Sequence, residues 1–167
     1  MYNFGDDFIF GGATAAYQAE GGAKDDGRGP CIWDEYLNRP ESKFNGDVAS
    51  DFYHKYKEDI KLSNEFGING IRVSISWSRV IPKGVGEVNE KGIEYYNNLI
   101  NECIANNVEP YVTLHHFDTP LQLFKNGDWL DRNNIDHFVN FAKVCFDNFG
   151  DRVTKWITFN EAWEIGR

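Results

Sequence analysis

The apolar run "KWITF" ends in Asn160-Glu161. A carboxyl group at the tip of such a run should meet low dielectric, which disfavours its charged form and raises its pKa. A carboxylic acid kept neutral near pH 7 can donate a proton to a leaving oxygen. Asn160 would point to the other side of a regular strand, unless a bulge or turn aims both side chains at one ligand. Arg72 lies one residue into the run "IRVSISW". If that run is buried, its guanidinium needs a carboxylate partner, which implies an acid deep in the same cavity. The stretch "LHHFD" supplies His115, His116 and Asp118. Successive strand residues face opposite ways, so two adjacent imidazoles on one metal ion would be poor geometry. A single histidine bonded to a polar ligand is the better reading, and no metal is expected. Gln18 carries an amide that can both donate and accept, which suits neighbouring hydroxyls. Tyr17, Glu20, Ser76, Arg79 and the rings of Trp33, Trp77, Phe117, Trp129 and Trp163 complete the set near strand ends. Aromatic faces, neutral amides and one acid together describe a carbohydrate-type pocket.

These residues need elements to position them. Four short apolar runs read as strands: Phe8 to Phe10, Ile71 to Trp77, Pro110 to Leu114 and Lys155 to Phe159. Segments of helical period separate them. Tyr53, Tyr56, Ile60 and Phe66 form one stripe, with Gly67 as a C-cap. Ile93, Tyr96, Ile100 and Ile104 form a second, with Asn89 as an N-cap. Ile135, Phe138, Val139, Ala142, Phe146 and Phe149 form a third, closed by Gly150. The order is β-α-β-α-β-α-β, and the strands do not alternate cleanly, as expected where both faces are covered. An α/β fold with parallel strands follows, either an open doubly wound sheet or part of a (β/α)8 barrel. No G-x-G-x-x-G opens a helix, and "GGATAAYQAEGG" lacks a P-loop ending, so nucleotide binding loses support. The long polar connection from Glu20 to Ala49 suits a loop built over a site. Functional groups of parallel α/β proteins gather beyond the carboxyl ends of strands, which puts all the residues above on one rim.

Composition removes other classes. A net charge of −9 argues against nucleic acid and against anionic lipid. No apolar run approaches a membrane span, and the N-terminus lacks the basic and apolar regions of a signal peptide. Three scattered cysteines, Cys31, Cys103 and Cys145, do not make a disulfide framework; Cys103 and Cys145 sit within helical patterns and read as buried thiols, and a reducing cytoplasm fits. No linker or domain boundary interrupts residues 1–167.

The motifs "FIFGGATAAYQAEGG", "DGRGPCIWDEY", "GDVASDFYHKYKEDI", "IRVSISWSRVIP", "GEVNEKGIEYYNNLI", "EPYVTLHHFDTP" and "WITFNEAW" occur in order along the chain. Together they resemble the N-terminal part of glycoside hydrolase family 1, the retaining β-glycosidases. The resemblance implies the N-terminal half of a (β/α)8 TIM barrel, so residues 1–167 would be one partial catalytic domain. It assigns the general acid/base to Glu161, contact with a sugar 2-hydroxyl to Asn160, and glycone binding to Gln18 and His116. It gives Arg72 the task of orienting the nucleophile, the partner its burial demands. No cofactor is implied, and the partner is a small-molecule β-glycoside. Phe117 stands where many members have Trp, and Ala162 where many have Pro, which affects pocket shape rather than proton transfer.

Retaining hydrolysis needs a second carboxyl as nucleophile. The family carries it in an "ENG" motif on a late strand, and no such motif occurs here. Four strands would also leave apolar edges open. The expectation is therefore a truncated chain, inactive alone. Within the family, "GGATAAYQAEG", "LHHFDTP" and "NGDWL" look most like enzymes of 6-phospho-β-galactosides, whereas "DRVTKWITFNEAW" leans toward β-glucosidases. The alternatives are hydrolysis of unphosphorylated glucosides or galactosides, and a non-catalytic remnant.

Overall fold

The structure, a computed structural model, describes residues 4–5 and 7–165. Its centre is a parallel sheet of β1 (Gly11–Ala13), β2 (Gly70–Ser74), β3 (Glu109–His115) and β4 (Lys155–Phe159), in the spatial order β1-β2-β3-β4. Each strand lies beside the next in sequence. That stepwise order belongs to a barrel, because a doubly wound sheet reverses its order at a switch point. The crossovers are made by α3 (Phe52–Glu65), α5 (Glu90–Ala105) and α7 (Asn133–Phe149). Short helices α1 (Ala16–Ala19), α2 (Ile32–Leu37), α4 (Trp77–Val80), α6 (Leu121–Lys125) and α8 (Ala162–Ile165) follow strands or shape the loops above them.

The core forms where the helix stripes meet the sheet. Tyr56 and Ile60 of α3, Leu99 and Ile100 of α5, and Phe141 and Phe149 of α7 are buried against Val73, Val112 and Leu114. Trp77 is 1% exposed and stacks on Phe141 at 5.1 Å between centroids, so it is a packing residue rather than a rim residue. The three cysteines are free and buried.

Four expectations need correction. The first strand is Gly11–Ala13, three residues beyond the start of the apolar trio Phe8–Phe10. That trio is tied to Asn69 instead: Phe10 N–H donates to Asn69 Oδ1 (2.8 Å), Asn69 Nδ2 donates to Phe8 O (3.1 Å) and Asn69 N–H to Phe10 O (3.0 Å). Phe66 is 83% exposed and sits past the end of α3, where Gly67 at φ +81° stops the helix. Asn89 does stand at the N-cap of α5, with its carbonyl accepting the Ile93 N–H (3.1 Å), but its side chain does not cap the helix; Nδ2 donates to the carbonyls of Asp26 and Arg79 instead. The buried side of α7 runs through Phe141, Cys145 and Phe149, and leaves Ile135, Val139 and Phe146 exposed. Their stripe is real in spacing, but the sheet meets the helix about one residue position round from it.

Candidate active site

The site residues were expected beyond the carboxyl ends of the strands, and the structure brings part of the set together there. Past β1 the chain folds into α1, whose Gln18 is exposed. Gln18 shares a cavity of about 170 Å³ with Tyr17, Trp33, Leu37, His116 and Phe117. His116 is half-buried, and its Nδ1 is buried without a hydrogen-bond partner. Burial lowers its pKa, the nearby Arg72 cation lowers it further, and the Glu161 charge works in the opposite sense. A neutral imidazole with an unused ring nitrogen keeps unspent hydrogen-bonding capacity.

The two histidines diverge as strand alternation requires. His115 is 1% exposed, places Nε2 3.1 Å from Thr119 Oγ1, and packs against Trp129 and Phe159. Burial pushes its pKa down to about 4, so it is a core histidine and neutral. Asp118 is fully enclosed, accepts the His116 backbone N–H at 3.4 Å and is pushed up to about 7 by burial. Among the described residues no group of three His, Cys, Asp or Glu is placed to hold a metal ion.

Arg72 reaches from β2 across β3 to the tip of β4. Its Nε donates to Thr113 Oγ1 (2.8 Å) and its Nη2 to Asn160 Oδ1 (2.9 Å). The expected carboxylate partner is replaced here by a hydroxyl and an amide, so the half-buried guanidinium is hydrogen-bonded without an ion pair among the described residues. Asn160 is 7% exposed, and its backbone N–H donates to His115 O (2.9 Å). Glu161 adopts φ +43°, a left-handed conformation that ends β4 and turns its side chain out to solvent. The turn foreseen as one way of aiming Asn160 and Glu161 together is present. The low-dielectric surroundings expected for Glu161 are not.

Glu20 and Arg79 leave the rim entirely. Arg79 is fully buried, with Nε 3.1 Å from Glu20 Oε2 and its Nη2 donating to the carbonyls of Gly21 (3.1 Å) and Gly22 (3.4 Å). Tyr96 O–H donates to Glu20 Oε1 (2.6 Å) and accepts the Ser76 N–H (2.7 Å). This is a structural pair beneath α1. Thr113 was missed; a lone hydroxyl inside "PYVTL" was the signal available.

The family model for glycosyl hydrolase family 1 matches residues 1–167. A 6-phospho-beta-galactosidase of Clostridium acetobutylicum is 74% identical over 167 residues, which are 100% of this chain and 35% of that protein. One of Leptotrichia buccalis is 60% identical over 161 residues, covering 96% of this chain and 34% of its own length. The chain thus spans about a third of the curated relatives it matches. Among solved structures, the family 1 β-glucosidase of Thermotoga maritima aligns with a TM-score of 0.94 at 42% identity, over 97% of this chain and 37% of that one. The rice Os3BGlu6 β-glucosidase aligns with a TM-score of 0.89 at 48% identity, over 93% and 33%. With the whole chain matched and the sheet folded as a partial (β/α)8 barrel, the protein belongs to glycosyl hydrolase family 1.

Proposed function

We propose that this chain is the acid/base-bearing part of a retaining β-glycosidase, acting on 6-phospho-β-galactosides. The observation that carries the reading is that His116 shares a cavity with Gln18 and lies close enough to Arg72 and Glu161 to feel both charges. Gln18 and His116 line one cavity, while Arg72 fixes the Asn160 amide beside Glu161. With Oδ1 held by Arg72, Asn160 offers Nδ2 as a donor to a sugar hydroxyl. Glu161 protonates the glycosidic oxygen, then takes a proton from water once the glycosyl-enzyme has formed. That the rice relative has been obtained in a covalent complex with Glc supports a glycosyl-enzyme route.

The nucleophile belongs to the two thirds of the relatives that lie outside the matched region, and Arg72 is the group that would steady it. Retaining chemistry needs the two carboxyls roughly 5–5.5 Å apart, so residues 1–167 alone should not turn over glycosides. A groove beside β4, about 650 Å³ and lined by Phe124, Trp129, Leu130, Phe159 and Ile165, supports packing of further barrel elements there. The phosphorylated substrate is favoured by the 74% and 60% identities to 6-phospho-beta-galactosidases, against 42–48% to the β-glucosidases. Free, buried cysteines support a cytoplasmic setting, and no helix among the described residues is long and apolar enough to cross a membrane.

The test joins residues 1–167 to the remaining sequence of the Clostridium acetobutylicum relative. The chimera should hydrolyse aryl β-galactoside 6-phosphates. A second chimera, with the Thermotoga maritima remainder, should be the poorer glycosidase on its own glucosides. In the first, Glu161→Gln should depress turnover most for aglycones that are poor leaving groups. Equal loss for activated and unactivated aglycones would sink the acid role.

A further inference from the structure

Trp33 is so far only one of several rings near the strand ends, yet the structure holds it in the site with several independent braces. It is the second residue of α2 and lines the same cavity as Gln18 and His116. Asp34, its neighbour, accepts from Arg28 Nη1 (2.9 Å) and from the Cys31 N–H (2.7 Å), which fixes the first turn of α2. Arg28 and Asp34 are nearly buried, with side chains 5% and 13% exposed. The segment just before Trp33 is sewn to the loop that carries His116 and Phe117. Ile32 N–H donates to Thr119 O and Leu121 N–H to Pro30 O, both at 2.9 Å, around the antiparallel bridge of Cys31 with Pro120. On the other side Gly29 N–H donates to Ser78 O (2.8 Å), and a Cβ on Gly29 would lie 1.8 Å from Pro82 O, so only glycine allows this approach.

The consequence is an indole held in the lining of the same small cavity as the His116 imidazole and the Gln18 amide. Tyr17 lies 6.3 Å from it and Tyr36 packs edge-on at 6.0 Å. The lining thus combines apolar ring surface with hydrogen-bonding groups. A pyranose has the same combination, with C–H groups on its face and hydroxyls on its edge.

We propose that Trp33 is a sugar-binding residue that forms the apolar wall of the glycone pocket, and that the Arg28–Asp34 pair is the positioning element that holds it there. This rests on the proposed glycosidase reading. It is tested in the Clostridium acetobutylicum chimera by KM and kcat on an aryl β-galactoside 6-phosphate. Trp33→Ala should raise KM about tenfold or more with kcat little changed, the pattern of binding shared by ground and transition states. Trp33→Phe should restore most of the loss, and Asp34→Asn should raise KM by a smaller factor without moving the pH profile. An unchanged KM in Trp33→Ala, or a Trp33→Phe no better than Trp33→Ala, overturns the inference alone. A parent chimera without turnover overturns it together with the reading it rests on.

Discussion

The buried Glu20–Arg79 pair makes a quantitative prediction about what keeps α1 in place. Glu20 follows directly on α1, which carries Gln18, and its carboxylate is bonded on both oxygens, to Arg79 and to Tyr96. Glu20→Gln keeps the shape and leaves Tyr96 an acceptor, but strands the Arg79 cation, which is 0% exposed. Leaving one member of a buried pair uncompensated costs about 3–5 kcal/mol. Replacing Arg79 by Met as well removes the stranded charge. The double variant then loses mainly the donors to the Gly21 and Gly22 carbonyls, at about 1 kcal/mol each. Stacking of the guanidinium over Tyr53, 4.1 Å away, is lost too, worth about 1–2 kcal/mol for a cation out of water. Urea unfolding followed by circular dichroism reads the difference. At about 2 kcal/mol/M, Glu20→Gln should lower the midpoint by ~2 M, and the double variant by less. A double variant less stable than Glu20→Gln refutes the charge argument, because it would mean that the cation contributes packing rather than an electrostatic debt.

Asp118 and His115 should leave opposite marks on the pH dependence of stability. The Asp118 carboxyl is raised from 3.8 to about 7, so its contribution is fully present below pH 4 and is lost as the pH rises to 7. Asp118→Asn mimics the protonated form; it should match the parent near pH 4 and be the more stable protein above pH 7 by up to a few kcal/mol. Equal melting temperatures across that range would contradict the burial. His115 is lowered from 6.5 to about 4, so its contribution is present above pH 6.5 and lost as the pH falls to 4. His115→Asn should flatten that acid limb in the same melting series, and an unaltered limb would place the titration elsewhere. Gly29→Ala should fold poorly or shift the strap before α2, since its Cβ would overlap Pro82 O; a melting temperature equal to the parent's would show that the strap is pliable.

The later strands were the more legible part. "KWITF" is β4 to the residue, and "PYVTL" lies inside β3, because short runs of apolar and β-branched residues between helical stripes favour strands. The first strand was hidden because its residues are Gly11, Gly12 and Ala13, which carry no β-propensity. A Cβ at Gly11 would come 2.8 Å from Gly70 O, so close approach selected glycine where pattern reading looks for bulk. The candidate residues were legible as a list of types at strand ends. Which of them turn inward was not, since that depends on backbone departures. Phe117 at φ +63° and Glu161 at φ +43° both break the strand rule at the mouth. Arg79 and Arg72 look alike in "IRVSISWSRV", seven residues apart. Only packing decides that Arg79 closes a buried pair while Arg72 bonds Thr113 and Asn160 at the strand ends.

Arg72 spans three strands with one side chain, and that has an entropic meaning. An asparagine at a loop tip would sample several rotamers and both amide orientations. Capturing it would charge each ligand with the lost freedom. Here the guanidinium, which can only donate, has already chosen the rotamer and the amide orientation during folding. About 0.5–1.5 kcal/mol of side-chain ordering is therefore absent from the binding step. Because the brace crosses β3, a sideways displacement of one strand tip would strain its neighbours, and the mouth would resist shear as a unit.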